Sequence, residues 1–144
     1  MAQRVNIEQT HPEAWKAMYS LSSAINKTTL TAIQKQLIKI RASQINACAF
    51  CINMHTEEAL KIGETIQRIF LLNAWKETNL FTEEEKVILA LTEEVTLIHQ
   101  NGVTAETYNK AEQFFSKETI ADIILAATLI NSWNRLSVSM QKNI

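Results

Sequence analysis

The chain has 144 residues, 47% hydrophobic and 20% charged, a composition typical of one globular, soluble domain. Its formal charge is −1, so the chain has no excess of basic residues of the kind that a general nucleic-acid-binding protein usually shows. Average usage would give roughly 17 Gly and Pro residues. The chain has only two Gly and one Pro, too few for the turns of an all-β fold. We therefore predict an all-α fold without a β-sheet, a single-domain bundle of about seven helices over residues 1–144 with its core at 10–140.

Caps and apolar periodicity predict the first helices in chain order. Thr10 is expected to cap a helix with Pro12 in its first turn. After a link at 26–29, an apolar stripe at helical spacing predicts a second helix that fades near 43–46. A third helix is expected from Ala47 or Cys48 to 63.

Similar signals predict the rest of the bundle. Gly63 is expected to cap the third helix in the left-handed conformation, and Thr65 to begin a fourth helix that includes Trp75. A capping box formed by Thr82 with Glu85 opens the next helix. The sequence predicts the end of that helix at 101–102, then two further helices capped by Thr104 and Ser116, the last running towards Met140.

The last predicted helix is apolar on nearly every side. Between Ile120 and Ile130, only Asp122 and Thr128 are polar, and such a helix is expected to be buried all round. It is therefore either the centre of the bundle or part of a subunit interface, and we expect a homo-oligomer.

No segment is long and apolar enough to cross a bilayer, and residues 1–10 are too polar for a secretory signal. We therefore expect a cytoplasmic protein.

The chemistry of the sequence is concentrated in Cys48, Cys51 and His55. At about 100° per residue, a helix places all three on one face. The free N–H groups and the dipole of a helix start favour a thiolate, which predicts a lowered thiol pKa, and a histidine one turn later can transfer a proton. This arrangement suits a dithiol redox site. The alternatives are a pair of inert buried thiols, or a zinc site with Glu58 as a fourth ligand.

The segment 43–55, Ser-Gln-Ile-Asn-Ala-Cys-Ala-Phe-Cys-Ile-Asn-Met-His, resembles the core motif of the alkylhydroperoxidase D-like proteins, part of the carboxymuconolactone decarboxylase superfamily. The resemblance continues through 57–59, 63–64, 73–75, 81–85 and 130–135. It implies an all-helical fold that assembles as trimers or hexamers, and peroxide reduction by a dithiol–disulfide cycle without a metal or organic cofactor.

The resemblance also implies individual roles. Cys51 corresponds to the peroxidatic nucleophile, Cys48 to the resolving thiol that exchanges with an external dithiol, and His55 to a member of a proton relay. The family's relay glutamate, twelve residues before the first cysteine, is Gln36 in this chain. An amide cannot shuttle a proton as a carboxylate can.

The relay is therefore expected either to run through His55 and water or to use Glu57 or Glu58 instead. If Gln36 lies beside His55, a glutamate in its place should raise peroxide turnover.

The leading functional hypothesis is a thiol-dependent peroxidase, a peroxiredoxin-type antioxidant enzyme for hydrogen peroxide or organic hydroperoxides. The main alternative is a disulfide reductase or redox adaptor with weak peroxidase activity. A carboxymuconolactone-type decarboxylase and a zinc-binding structural oligomer are further alternatives. The expected partners are a peroxide substrate, an external dithiol reductant and other copies of the chain, but no nucleic acid and no membrane.

Overall fold

Helices account for the regular secondary structure of this protein, whose computed structural model describes residues 4–144. Residues 1–3 belong to the predicted domain but lie outside the described part. No β-strand occurs within residues 4–144, which confirms the all-α prediction.

The described residues form nine α-helices and one 3-10 segment. In chain order they are α1 (Ile7–Thr10), α2 (Pro12–Asn26), α3 (Ala32–Ile45), α4 (Ala49–Lys61), α5 (Ile66–Phe70), the 3-10 segment (Leu72–Glu77), α6 (Glu83–Thr96), α7 (Ile98–Asn101), α8 (Ala105–Phe114) and α9 (Lys117–Ser139). The excess over the predicted count of about seven lies in α1, α5 and α7, which have only four or five residues each.

Helix α3 lies at the centre of the fold, where it packs against α4, α6 and α9. One apolar cluster joins α3, α6 and α9 through fully buried side chains such as Ile38, Leu91 and Ile123. A second cluster joins α3 to α4, the 3-10 segment and α6 on its other side, with Leu37 and Leu72 completely buried. Since both clusters include α3, the helix before the cysteines is fixed on two sides.

Most of the predicted caps are confirmed. The side chains of Thr65, Thr104 and Ser116 each accept a hydrogen bond from a backbone N–H in the first turn of the following helix. Thr82 and Glu85 form the predicted capping box. A second capping box, not predicted from the sequence, begins α3 at Thr31.

The predicted cap at Thr10 is wrong. Thr10 is the last residue of α1, and its hydroxyl donates to the backbone carbonyl of Asn6. His11 precedes α2 and makes no side-chain cap. Pro12 does occupy the first helical position, where the missing N–H costs no hydrogen bond.

Two predicted helices are each interrupted once. The fourth ends at Phe70 and continues after Leu71 as the 3-10 segment, in which Ala74 leaves the helical region. The helix that begins at Glu83 ends at Thr96, and α7 follows after Leu97. Tertiary packing decides such breaks, so apolar periodicity alone cannot locate them.

Helix α9 is buried mainly by its own chain. Its inner face includes the completely or almost completely buried Ile120, Ile123 and Ala127, whereas Leu125 on the outer face is 46% exposed. The expected burial on every side is therefore wrong: one face of the segment packs into the bundle, while Ala121, Leu125 and Thr128 leave the other face exposed. Within residues 4–144, no helix combines the length and apolarity needed to cross a bilayer.

Candidate active site

A tight turn between α3 and α4 places the two cysteines. Helix α3 ends with the N–H of Ala47 donating to the carbonyl of Gln44, and the N–H of Cys48 donating to that of Ser43. This is the Schellman pattern, which requires a left-handed residue after the helix cap. Ala47 takes that conformation, with φ of 52°. The turn directs the chain so that Cys48 becomes the N-cap of α4 and Cys51 lies in its first turn.

Three buried or partly buried asparagines fix this turn to α9. The amide of Asn46 donates to the side-chain oxygens of Asn131 at 2.9 Å and of Asn134 at 3.0 Å. Asn134 in turn donates to the hydroxyl of Ser43, and Asn131 to that of Thr96 on α6. Two segments of the family resemblance, 43–55 and 130–135, therefore meet in one polar network.

Cys48 and Cys51 are joined by a disulfide, with their Cα atoms 5.3 Å apart. Both are buried, and the backbone N–H of Cys51 donates to the sulfur of Cys48 at 3.3 Å. The structure therefore represents the oxidised form. In the reduced form, the same N–H group would stabilise negative charge on the sulfur of Cys48, at the start of the helix.

His55 lies one turn beyond Cys51 on α4, and its Nδ1 lies 3.0 Å from Oε2 of Glu58. The side-chain amide of Gln36 donates to the same carboxylate oxygen, also at 3.0 Å. Glu58 therefore stands between Gln36 and His55. Glu57, the other carboxylate considered from the sequence, instead accepts from Asn53 at the surface.

The electrostatics of this pair favour a neutral imidazole beside a charged carboxylate. Burial lowers the pKa of His55 and outweighs the raising effect of its hydrogen bond to Glu58. Burial raises the pKa of Glu58, but the hydrogen bonds from His55 and Gln36, together with nearby positive charge, reverse the sign and lower it overall. Since a carboxylate can only accept, Nδ1 of His55 carries the proton. Its Nε2 then presents a lone pair, as a general base requires.

A cavity of about 350 Å³ opens onto this group. Cys51, His55 and Glu58 line it, whereas Cys48 does not. The remaining walls come from α2, α3, other residues of α4, α9 and the C-terminal segment. They consist of Trp15, Tyr19, Ser22, Ile25, Asn26, Lys35, Lys39, Phe50, Met54, Ala126, Leu129, Ile130, Trp133, Ser137 and Lys142. A small molecule in the cavity would therefore meet Cys51 rather than Cys48.

The structure brings the predicted site residues Cys48, Cys51 and His55 together and attaches Gln36 to them through Glu58. Neither the asparagine network nor the lysines of the cavity wall were predicted from the sequence. Asn131 and Asn134 did appear in the family resemblance, and that resemblance is the feature of the sequence that could have indicated them. In the part of the chain that the structure describes, no three His, Cys, Asp or Glu side chains cluster as metal ligands would.

Comparison with known proteins agrees with this geometry. The model of the carboxymuconolactone decarboxylase family matches residues 12–94. An uncharacterized Bacillus subtilis protein, YdfG, is 45% identical over 145 residues, which cover 97% of this chain and 95% of YdfG.

Two solved structures share the fold. One is a protein of unknown function from Agrobacterium tumefaciens, described as a candidate antioxidant defence protein AhpD. It superposes with a TM-score of 0.94 at 35% identity, with 99% of this chain and 97% of the other covered. The debrominase Bmp8 superposes with a TM-score of 0.83 over 94% of this chain and 73% of its own. At 16% identity, that likeness concerns the fold alone.

The family match extends over more than half of the chain, and the Agrobacterium structure aligns over nearly all of it. The chain belongs to the carboxymuconolactone decarboxylase family, as an AhpD-like protein.

Proposed function

We propose that this protein is a thiol-dependent peroxidase that reduces hydrogen peroxide or organic hydroperoxides through a Cys48/Cys51 dithiol–disulfide cycle. The observation that supports it most directly is the shared cavity of Cys51, His55 and Glu58, with Cys48 already bonded to Cys51. A peroxide in that cavity meets a sulfur, a base and a carboxylate that orients the base.

The first step consumes the peroxide. Nε2 of His55 takes the thiol proton of Cys51, and the thiolate attacks the distal oxygen of the hydroperoxide. The O–O bond breaks, the sulfur becomes a sulfenic acid, and the leaving alkoxide takes the proton back from His55 to depart as an alcohol. Glu58 holds the imidazole in the required tautomer and stabilises its charged form.

The second step forms the disulfide. The sulfur of Cys48 attacks that of Cys51, and the sulfenic oxygen leaves as water. An external dithiol then restores both thiols by two exchanges, so that each turnover converts one hydroperoxide and one dithiol into an alcohol, water and a disulfide. A cytoplasmic location, where thiols are kept reduced, would supply that reductant.

The second candidate, a disulfide reductase or redox adaptor, keeps the disulfide but needs no peroxide. Gln36 at the family's relay position favours it, because the amide lacks a transferable proton of suitable pKa. The contact between Glu58 and His55 favours the peroxidase, since it supplies a carboxylate one hydrogen bond from Gln36. A decarboxylase needs no cysteine pair, so this site supports that alternative least.

The test is steady-state consumption of cumene hydroperoxide by the purified protein with dithiothreitol as reductant. Turnover by the native protein and its loss in Cys51→Ser support the proposal. The same preparations are assayed for reduction of a small-molecule disulfide. Reduction of the disulfide without consumption of peroxide would instead identify a disulfide reductase.

A further inference from the structure

The cavity over Cys51 carries an excess of positive charge. Three lysines line it, Lys35, Lys39 and Lys142, but Glu58 is the only carboxylate among its lining residues. That carboxylate already accepts from His55 and Gln36. The lining therefore has a formal charge of +2 when His55 is neutral, in a chain whose total charge is −1.

None of the three lysines forms an ion pair within residues 4–144. The ammonium of Lys35 donates to the backbone carbonyl of Asn26 at 2.8 Å. That of Lys142 lies 4.3 Å from the centre of the Phe50 ring. Lys39 is half-buried, and burial lowers its pKa even though the negative charge of Glu58 opposes this shift. Its charge thus interacts with that of Glu58 across the cavity wall, but the two side chains form no ion pair.

Backbone geometry directs Lys142 towards the cavity. Helix α9 ends in a Schellman pattern, in which the N–H of Gln141 donates to Val138 and that of Lys142 to Ser137. Gln141 takes the left-handed conformation at φ of 53°. The reversal places the lysine against Phe50 on α4, so it belongs to the cavity wall although it follows the last helix.

The rest of the wall is mainly apolar and aromatic. Trp15 and Trp133 meet edge to face with their ring centres 4.9 Å apart, and Leu129 and Ile130 extend this surface along α9. A volume of about 350 Å³ falls in the range of sites for small organic molecules. Hydrogen peroxide would leave most of that apolar surface uncovered.

We propose that the cavity selects an organic hydroperoxide with an apolar body and a carboxylate end, in which the peroxide meets Cys51, the body contacts the tryptophans and the carboxylate pairs with Lys39. This inference specifies the substrate class of the proposed peroxidase and rests on that function. A substrate carboxylate would give Lys39 the direct ion pair that Glu58 does not form with it, and charge-assisted hydrogen bonds in a partly buried site are strong.

Binding tests the inference without any turnover. The disulfide form is titrated with para-isopropylbenzoate and with its neutral isostere para-isopropylbenzamide, and tryptophan fluorescence reports occupancy because two tryptophans line the cavity. We expect the carboxylate to bind about tenfold more tightly than the amide. The Lys39→Gln variant should lose most of that preference. The matched control Lys61→Gln, an exposed lysine outside the cavity, should retain it.

Equal binding of acid and amide by the native protein would overturn the inference, whether or not Lys39→Gln folds. An acid preference that persists unchanged in a folded Lys39→Gln variant would overturn the role of Lys39.

Turnover separates this inference from the proposed function. The value of kcat/KM should be about tenfold higher for cumene hydroperoxide with a para-carboxylate than for the same peroxide with a para-carboxamide. Lys39→Gln should reduce this ratio of the two kcat/KM values more than it reduces kcat for the neutral carboxamide. If neither peroxide is consumed while the acid preference in binding persists, the peroxidase proposal fails and the anion site stands. Consumption of both peroxides at equal kcat/KM would leave the peroxidase and remove its proposed specificity.

Discussion

At the residue scale, one oxygen of Glu58 receives hydrogen bonds from both His55 and Gln36. Glu58, on the same helix as His55, therefore supplies a carboxylate one hydrogen bond from Gln36, the position at which the family resemblance implies a glutamate. A Glu three residues after a His on a helix lies beside it, so the contact itself was predictable from the sequence. The packing of Gln36 from α3 against that pair was not, because it depends on how two helices meet.

Glu58→Gln is expected to lower peroxide turnover at least tenfold, part of the roughly 10² to 10⁴-fold that general acid–base catalysis contributes. The amide would no longer stabilise the imidazolium. Gln36→Ala keeps the carboxylate and should cost much less. The measurement is kcat/KM for cumene hydroperoxide in the native protein and both variants.

The structure also changes the expectation for Gln36→Glu. The new carboxylate would face Glu58 rather than His55, and like charges at such a distance force one group to take up a proton. We expect no gain in turnover at neutral pH. A clear gain in turnover in Gln36→Glu, together with full activity in Glu58→Gln, would show that position 36 rather than Glu58 serves in the proton relay.

The protonation of His55 is a further prediction at this scale. Burial holds the pKa of His55 below 6.5, so titration of its ring carbons by NMR should give a midpoint below that value. The pKa is lower in the folded than in the unfolded chain. The stability contributed by neutral His55 is therefore present above about 6.5 and lost as the pH falls through the folded pKa. Glu58→Gln should lower the midpoint further, because it removes the interactions that raise it. A midpoint above 6.5 would mean that the imidazole is charged in the resting site.

At the element scale, an ion-pair cluster around Arg68 joins helices outside the active site. Its guanidinium donates to Glu64 at 2.8 Å and to Glu85 at 2.6 Å, and it lies 4.6 Å from the centre of the Phe81 ring. Glu85 also accepts from the backbone N–H of Thr82 in the capping box. The cluster thus links the end of α4, α5 and the start of α6. Glu64, Phe81, Thr82 and Glu85 fall within the segments of the family resemblance, and the cluster they form with Arg68 joins helices away from the cavity.

Arg68→Met should lower the free energy of unfolding by about 3 kcal/mol, the low end for removing one partner of a buried ion pair, because Arg68 is partly exposed and two buried carboxyl groups lose their cationic partner. Urea denaturation followed by circular dichroism measures it. Lys86→Met is the matched control, since Lys86 pairs with the exposed Glu83, and it should change stability little. Equal effects in both variants would contradict the structural role of Arg68.

The start and end of most helices were predictable because caps are local. Thr82 with Glu85 and Gly63 gave correct bounds from a few residues each. The breaks at Leu71 and Leu97 depend on packing between helices. The apolar periodicity of the sequence continues across both positions, so it could not predict them. Within the site, Cys48, Cys51 and His55 share one helix start and were identified together. Lys142 and the asparagines of α9 reach the site only through the tertiary fold.

At the scale of the whole molecule, apolar side chains remain exposed near the end of α4 and on α5. Phe70 is 76% exposed and Ile66 57%, with Leu60, Ile62 and Leu71 also exposed. Exposed apolar side chains that follow one another this closely along the chain favour an interface. We propose that this surface, rather than the largely buried α9, joins copies of the chain.

Light scattering at micromolar concentration should therefore give a multiple of the 16.4 kDa chain mass, a trimer or hexamer as the family resemblance implies. Phe70→Glu should lower the mass. Ile98→Glu, which charges an equally apolar exposed position on α7, should leave it unchanged. A native protein that scatters as a single chain would refute the assembly.

The most direct test of the dithiol cycle is the stoichiometry of one turnover without reductant. The fully reduced protein is treated with one equivalent of cumene hydroperoxide, and free thiols are counted before and after. We predict a fall from two thiols per chain to none, and in Cys48→Ser a sulfenic acid on Cys51 that dimedone traps. If the native protein kept two thiols, the dithiol cycle would be contradicted. If Cys51→Ser formed a dimedone adduct on Cys48 at the native rate, the assignment of Cys51 as the peroxidatic residue would be contradicted.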